Sequence, residues 1–246
     1  MKVIGIIPAR FESTRFQGKP LIDIGGKTMI ERVYNQTKHA ASLHEVIVAT
    51  DDQRIYDHVK SFAGNVIMTK NTHPSGTDRC AEVVAQLKGF DVAINIQGDE
   101  PFIDPQQIDL LVSCFSEPQT QIATLIRKIA SQEDLEDFNK PKVVLNSKQE
   151  AIYFSRYPIP FLRGLEKSDW LTHVEYFNHI GIYGFQIDIL RELTQLPVSK
   201  LEKAESLEQL RWIENGYKIK TALSNHLSDP IDTPEDLQHI LKKYFS

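Results

Sequence analysis

The sequence is poor in the features that mark several large classes of protein. Its two cysteines, Cys80 and Cys114, lie far apart and in no metal-like spacing, which argues against a disulfide framework. Basic residues number 28 against 33 acidic ones, so the chain lacks the basic excess of nucleic-acid-binding proteins. No apolar run approaches bilayer-spanning length, and Val3–Ile7 is too short for a signal-peptide core. We therefore expect a cytoplasmic protein with neither nucleic-acid nor membrane partners.

Two common nucleotide-binding motifs are also missing. A Walker A loop would need glycine in place of Ser13 and serine or threonine in place of Pro20, directly after Lys19. No G-x-G-x-x-G fingerprint occurs either, so a dinucleotide-dependent dehydrogenase has no support.

What the chain does contain is an alternation of short, β-branched apolar runs with amphipathic segments. This pattern predicts an α/β fold with a parallel sheet covered on both faces, in one domain over residues 1–246. The predicted strands are Val3–Ile7, Val46–Ala49, Val66–Met68, Val92–Ile96, Lys142–Leu145, Ala151–Phe154 and His179–Phe185. The predicted helices are Met29–His39, Arg54–Phe62, Asp78–Leu87, Glu202–Glu214 and one that begins at Thr233. Ligands of such sheets bind beyond the carboxyl ends of the strands.

The loop after the first strand carries three cations, Arg10, Arg15 and Lys19. Guanidinium groups bind phosphate oxygens in pairs, and lysine adds a point charge. Gly18 would let the backbone approach a phosphate closely. These residues predict a triphosphate site, with a solvated basic loop as the open alternative.

Carboxylates occur at two further places. Asp99 and Glu100 end the most apolar strand, and Asp232 precedes the last predicted helix. Mg²⁺ is often held by one or two carboxylates together with substrate phosphates. Either aspartate could equally be a turn residue, and spacing alone does not bring Asp99 and Asp232 together.

Other polar clusters have a structural and a functional interpretation. Ser75 with Asp78 fits a capping box, yet Ser75, Gly76 and Arg79 also form a helix N-terminus suited to a nucleotide. Arg156 and His179 are candidate carboxylate partners, or else a surface arginine and a histidine at the edge of the core.

Ten short strings, in order along the chain, resemble the CMP-Kdo synthetase family, the 3-deoxy-manno-octulosonate cytidylyltransferases. The strings cover nearly the whole sequence and begin at residues 6, 13, 18, 48, 75, 95, 153, 179, 207 and 232; they include Ile6-Ile7-Pro8-Ala9-Arg10, Asn95-Ile96-Gln97-Gly98-Asp99-Glu100-Pro101 and Asp232-Thr233-Pro234-Glu235-Asp236-Leu237.

The resemblance implies a Rossmann-like, mostly parallel sheet of the nucleotide-diphospho-sugar transferase type, and CMP transfer from CTP to Kdo for lipopolysaccharide biosynthesis. By the same resemblance Asp99 and Asp232 are Mg²⁺ ligands, which act with Arg10 and Lys19 in catalysis. The implied nucleotide-binding residues are Ala9, Arg10, Arg15, Lys19, Ser75, Gly76, Arg79 and Gln97. The implied sugar-binding residues are Arg156, His179, Tyr183, Glu208 and Gln209.

The family resemblance also implies a homodimer, with an extension over residues 157–176 directed toward the partner. The chain departs from the family at Gln17, where proline is usual, and at Asn139–Lys142. Alternative functions are transfer of CMP to 8-amino-Kdo or sialic acid, and nucleotide binding without catalysis on the same fold.

Overall fold

The computed structural model describes residues 1–12, 16–226 and 229–245, and its apolar runs form one nine-stranded sheet. Seven strands follow the spatial order β3-β2-β1-β4-β8-β5-β9, and β6 joins β7 to β8. The strands are β1 Val3–Ala9, β2 Glu45–Thr50, β3 Val66–Met68, β4 Val92–Asn95, β5 Ile122–Lys128, β6 Lys142–Leu145, β7 Ala151–Ser155, β8 Phe177–Gln186 and β9 Ile219–Leu223.

The sheet is mostly parallel, as the sequence predicts. β1 pairs in parallel with β2 and β4, and β2 pairs in parallel with β3. β8 runs antiparallel to both β4 and β5, while β9 runs parallel to β5. Six of the seven strands on the main path therefore point the same way. The carboxyl ends of β1, β2 and β4 meet at one edge.

Helices cover both faces of this sheet. Side-chain oxygens of Thr28, Asp52, Ser75, Asp104 and Ser199 cap helix N-termini, which satisfies otherwise unpaired backbone N–H groups. The helices are α1 Met29–Lys38, α2 Gln53–Ser61, α3 Gly76–Gln86, α4 Pro105–Ser113, α5 Gln132–Glu136, α6 Trp170–His173, α7 Ile187–Leu193, α8 Lys200–Glu205, α9 Gln209–Glu214 and α10 Pro234–Phe245.

The prediction of one helix over Glu202–Glu214 is wrong. The chain forms α8 and α9 instead, because Ser206 takes the left-handed conformation with φ 52° and ends α8. The apolar residues that suggested one continuous face are Leu207, Leu210 and Ile213; the first two are buried and Ile213 is partly buried. Leu207 packs from the turn between the two helices, and Leu210 packs from α9.

The extension over residues 157–176 contains a short 3₁₀ helix, Lys167–Asp169, followed by α6. Trp170 at the start of α6 is buried in a small cluster with Ile129, Leu135 and Tyr176. The segment is thus anchored to the domain. Across the three described ranges, no helix is both long and apolar enough to cross a membrane.

Candidate active site

The loop after β1 turns back on itself at Gly18. This residue has a φ of 71°, and its N–H donates to the carbonyl oxygen of Phe11 at 2.9 Å. A Cβ at this position would lie 3.2 Å from the Phe11 ring, so glycine permits both the turn and the close contact. A 3₁₀ helix, Lys19–Leu21, follows directly and fixes the direction of Lys19. Gln17, the departure from the family pattern, is exposed.

Lys19 joins two carboxylates from distant parts of the chain. Its Nζ donates to Asp99 Oδ2 at 2.8 Å and to Asp232 Oδ1 at 3.0 Å. The backbone ties the same segments together, since the Ile231 N–H donates to the Asp99 carbonyl at 3.0 Å. Asp99 follows β4, and Asp232 precedes α10. Asp99 and Asp232, which sequence spacing alone does not bring together, therefore both contact Lys19.

A cavity of about 460 Å³ opens beside this junction, a size within the usual range for small-molecule sites. It lies at the carboxyl ends of β1 and β4, where ligands of such sheets bind. The predicted nucleotide-binding residues in its lining are Ala9, Arg10, Lys19, Ser75, Gly76 and Gln97. The structure thus brings together cations from the first loop and a helix N-terminus, both of which favour phosphate.

A hydrogen bond to the backbone positions the Arg10 side chain in this cavity. Its Nη2 donates to the carbonyl oxygen of His73. Burial, followed by the charge of Arg79, lowers the pKa of the Arg10 guanidinium. Two cations close together in a partly buried place repel each other, so an anion bound beside Arg10 would be favoured.

Two further cavities continue from the first. One, also of about 460 Å³, shares Gln97 and Asp99 with it and is lined in addition by Asp232 and His179. The other, of about 200 Å³, is lined by Gln97, Tyr183 and Glu208, among others. Gln97 borders all three cavities, and its Nε2 donates to the Gly181 carbonyl at 2.7 Å. The carboxylate pair therefore stands where two larger cavities meet.

Other polar groups line the cavities away from Arg10 and Lys19. Burial lowers the pKa of His179 to about 3, so the imidazole is neutral near pH 7, and its Nε2 lies 2.9 Å from Thr124 Oγ1. Burial also raises the pKa of Glu208, whose carboxylate accepts hydrogen bonds from Ser75 Oγ at 2.8 Å and Thr77 Oγ1 at 2.7 Å. These groups are suited to recognising hydroxyl groups.

Comparison with known proteins agrees with this geometry. The model of a cytidylyltransferase family matches residues 4–219. A 3-deoxy-manno-octulosonate cytidylyltransferase from Parabacteroides distasonis is 54% identical over 246 residues, covering 98% of this chain and 97% of the relative. One from Bacteroides thetaiotaomicron is 54% identical over 243 residues, covering 97% and 96%. This chain belongs to the 3-deoxy-manno-octulosonate cytidylyltransferase family.

A solved structure supports the same assignment. The structure of a CMP:2-keto-3-deoxy-manno-octonic acid synthetase complexed with CTP superposes with a TM-score of 0.91 at 42% identity, covering 99% of this chain and 98% of that one. The chain is therefore a nucleotidyltransferase with the nucleotide-diphospho-sugar transferase fold that its sequence implies.

Some residues that the family resemblance assigned to the site lie outside the cavities. Arg79 is completely buried and lines none of the three cavities; it donates to Asp51 Oδ2 at 3.0 Å and to Thr69 Oγ1. Gln209 is also buried and lines none of the described cavities. Arg15 lies outside the described residues.

Arg156 is likewise absent from the cavity linings. Its guanidinium donates to the carbonyl oxygens of Glu205 at 2.7 Å, Phe138 at 3.0 Å and Ser206 at 3.2 Å. In this structure Arg156 braces the turn between α8 and α9, which carries Glu208.

Sequence reasoning gave no role to Asp51 and Asn95, and it included Thr77 only as part of the Ser75–Arg79 stretch. Asp51 follows β2 and holds Arg79, and Thr77 holds Glu208. The strand-end rule that singled out Asp99 applies equally to Asp51 and could have found it. Asn95 lines the smallest of the three cavities and begins one of the strings that carry the family resemblance, but it was not given a role because it ends the apolar run of β4.

Proposed function

We propose that this protein transfers CMP from CTP to 3-deoxy-D-manno-octulosonate (Kdo) and releases pyrophosphate. The observation that carries the proposal is the junction of Lys19 with Asp99 and Asp232 between two cavities, in a member of this family. The cavity with the cations would hold the nucleotide triphosphate. The cavity that continues past the carboxylates would hold the acceptor sugar.

We propose Mg²⁺ as the cofactor, held by Asp99 and Asp232. Both carboxylates contact the same ammonium, so their oxygens converge on one cationic position. Mg²⁺ commonly takes one or two carboxylates and completes its shell with phosphates and water, so two aspartates are a sufficient protein contribution. When bound, Mg²⁺ would act as a Lewis acid on the phosphate and favour deprotonation of a coordinated hydroxyl.

The residues of the first loop would supply binding and charge neutralisation. Arg10 and Lys19 line the nucleotide cavity and would neutralise the β- and γ-phosphates, which become the leaving pyrophosphate. Gln97 borders the nucleotide and acceptor cavities and would help to align the two substrates. The anomeric hydroxyl of the acceptor would attack the α-phosphorus as the bond to the β-phosphate breaks.

We expect direct transfer with no covalent intermediate on the protein. Nucleophilic catalysis by serine or cysteine needs a base within hydrogen-bonding distance. Ser75 caps α3, where its Oγ accepts from the Asp78 N–H at 3.2 Å and donates to the carboxylates of Asp78 and Glu208. Carboxylates are weak bases for a hydroxyl group, and no histidine contacts Ser75 in the described ranges. Burial raises the pKa of the Cys80 thiol, which makes it a poor nucleophile.

The acceptor would be recognised by hydrogen-bonding groups together with the cations Arg127 and Lys140, which line the second cavity and suit the carboxylate of a sugar acid. His179 lines the second cavity, and Tyr183 and Glu208 line the third. An eight-carbon sugar acid carries several hydroxyl groups, each able to donate and accept, and these side chains complement them.

Pyrophosphate release from CTP and Mg²⁺ tests the proposal, with Kdo, 8-amino-Kdo and sialic acid supplied separately. We expect release with Kdo. Release with a different acid alone would replace the substrate and retain the chemistry. Binding of CTP without release for any acid would contradict catalysis and favour a nucleotide-binding role.

We also propose a cytoplasmic homodimer. The thiols of Cys80 and Cys114 are free, which suits a reducing compartment. Large apolar side chains are exposed in and next to the extension; they are Phe138, Ile152, Tyr157, Phe161 and Leu165. Phe161 is 73% exposed, and a second copy of the chain would bury it.

Sedimentation tests the dimer. The wild type should sediment at twice the chain mass of 28.1 kDa. Phe161→Asp should shift it toward the monomer, because a charge in an apolar interface is costly. Leu223→Asp, at an exposed apolar residue of β9, is the matched control and should remain dimeric. A monomeric wild type would contradict the proposal.

A further inference from the structure

The smallest of the three cavities is bordered by a pair of polar side chains on two adjacent strands. Asn95 on β4 is directly opposite Tyr183 on the antiparallel strand β8, so both side chains point to the same face of the sheet. Both line the cavity of about 200 Å³, together with Gln97, Thr77 and Glu208. The cavity also shares Pro8, Gly76, Gln97 and Gly98 with the nucleotide cavity. The pair therefore lies inside the catalytic cleft.

Each of these two side chains has a buried polar atom that the described part of the chain leaves without a hydrogen bond. Asn95 is 5% exposed and Tyr183 is 8% exposed. Asn95 Oδ1 and the Tyr183 hydroxyl have no hydrogen-bond partner among the described residues. Buried polar atoms are usually paired, and those without a protein partner commonly serve a ligand or a catalytic role. Two such atoms on opposite strands of one cavity indicate a place built for a ligand.

The chemistry of the two atoms limits what that ligand group is. Asn95 Oδ1 accepts hydrogen bonds only, whereas the Tyr183 hydroxyl both donates and accepts. A group that donates to Asn95 and accepts from Tyr183 satisfies both at once. A hydroxyl group does this, while an ammonium cannot accept and an ionised carboxylate cannot donate. Glu208 beside them is already occupied by Ser75 and Thr77.

We propose that Asn95, together with Tyr183, recognises one sugar hydroxyl of a substrate and that Asn95 is a specificity-determining residue of the cleft. This inference rests on the proposed function. Two substrates carry sugar hydroxyls, namely the acceptor and the ribose of CTP. The cavity borders both larger cavities through Gln97, so the experiment has one arm for each.

The test combines Asn95→Leu, which keeps the branched heavy-atom skeleton and removes the polar atoms, with substrates that lack single hydroxyls. One arm uses Kdo and acceptor analogues that each lack one hydroxyl. The other uses CTP and its 2′-deoxy and 3′-deoxy forms. For the wild type, kcat/KM should be about 10- to 100-fold lower for the analogue that lacks the recognised hydroxyl than for its parent, Kdo or CTP. This ratio is the cost of a lost buried hydrogen bond. In Asn95→Leu that preference should fall to within about 3-fold.

Controls separate recognition from general damage. Thr37→Val is the matched variant, because Thr37 Oγ1 is also buried and has no partner within residues 1–12, 16–226 and 229–245, yet it lines none of the described cavities. Its substrate preferences should equal those of the wild type. Asn95→Ala replaces Asn95→Leu if the latter does not fold, and a thermal melt checks both. Calorimetric affinities for the same substrates provide a readout that needs no turnover.

The outcomes distinguish this inference from the proposed function. A preference lost only for acceptor analogues, or only for CTP analogues, supports hydroxyl recognition and identifies its source. A loss that is equal for every substrate, or no loss at all, overturns the role of Asn95 even where the wild type converts Kdo. Failure of the wild type to convert any acid contradicts the proposed function, and the calorimetric affinities still decide the role of Asn95.

Discussion

The buried ion pair of Arg79 with Asp51 gives a quantitative prediction about the stability of the protein. Arg79 on α3 is completely buried, and its guanidinium donates to Asp51 Oδ2 at 3.0 Å and to Thr69 Oγ1. Its Nε has no partner among the described residues. Asp51→Ala would leave a buried cation with a single neutral partner. Breaking a buried ion pair from one side is strongly destabilising for this reason.

The expected cost follows from the geometry. Removal of one partner from a buried pair costs about 3–5 kcal/mol, and Asp51 is partly exposed, so we expect about 3 kcal/mol of unfolding free energy. For a chain of 246 residues that corresponds to a melting temperature lower by roughly 6–12 °C. Urea unfolding and thermal melts measure both quantities.

A double variant makes the reasoning refutable. Arg79→Met fills a similar volume without charge, so Asp51→Ala with Arg79→Met should be more stable than Asp51→Ala alone by at least about 1 kcal/mol. Because Arg79 lies outside the cavities, Arg79→Met should change stability more than CTP affinity. The account fails if Asp51→Ala stays within about 1 kcal/mol of the wild type, or if the second substitution restores nothing.

Three further predictions concern other parts of the cleft. Asp99→Asn should lower kcat about 100- to 1,000-fold at saturating CTP. Asp109 bonds to Ser42 outside the cavities, so the control variant Asp109→Asn should keep normal turnover. Near-normal turnover of Asp99→Asn would refute the proposed metal ligand. The folded-state pKa of His179, about 3, lies below its ordinary value of 6.5, so the unfolded chain binds the proton more tightly and stability should fall as pH drops from 6.5 toward 3. Over this range the unfolding free energy measured in urea should fall more steeply in the wild type than in His179→Gln, by up to about 1.4 kcal/mol per pH unit. Equal slopes for the two proteins would contradict this. Ser206→Gly should raise the unfolding free energy by about 0.5–1 kcal/mol, because glycine tolerates the φ of 52°; a destabilised variant would contradict it.

The sequence predicts the first half of the fold well because its signals are local. The apolar runs of β1 to β4 are continuous and β-branched, as buried parallel strands require. The loops after β1 and β4 could be assigned to the ligand edge by the strand-end rule alone. The structure places Arg10, Lys19 and Asp99 at that edge.

Other features depend on contacts that no local pattern reveals. Asp232 is 213 residues from Lys19, so its position beside the cleft follows from the packing of α10. β5 and β9 were not predicted, because they lie in a half of the chain whose periodicity is weak. The split between α8 and α9 depends on the backbone of Ser206, a residue type that carries no strong left-handed signal.

The central claim is most directly tested by a mass balance of the reaction. Purified protein with CTP, Mg²⁺ and Kdo should consume one CTP for each CMP–Kdo conjugate and each pyrophosphate formed, as measured by mass spectrometry and phosphate analysis, and Asp99→Asn should form almost none. Pyrophosphate formed without a CMP–sugar conjugate, or conjugate formed equally well by Asp99→Asn, would contradict the account.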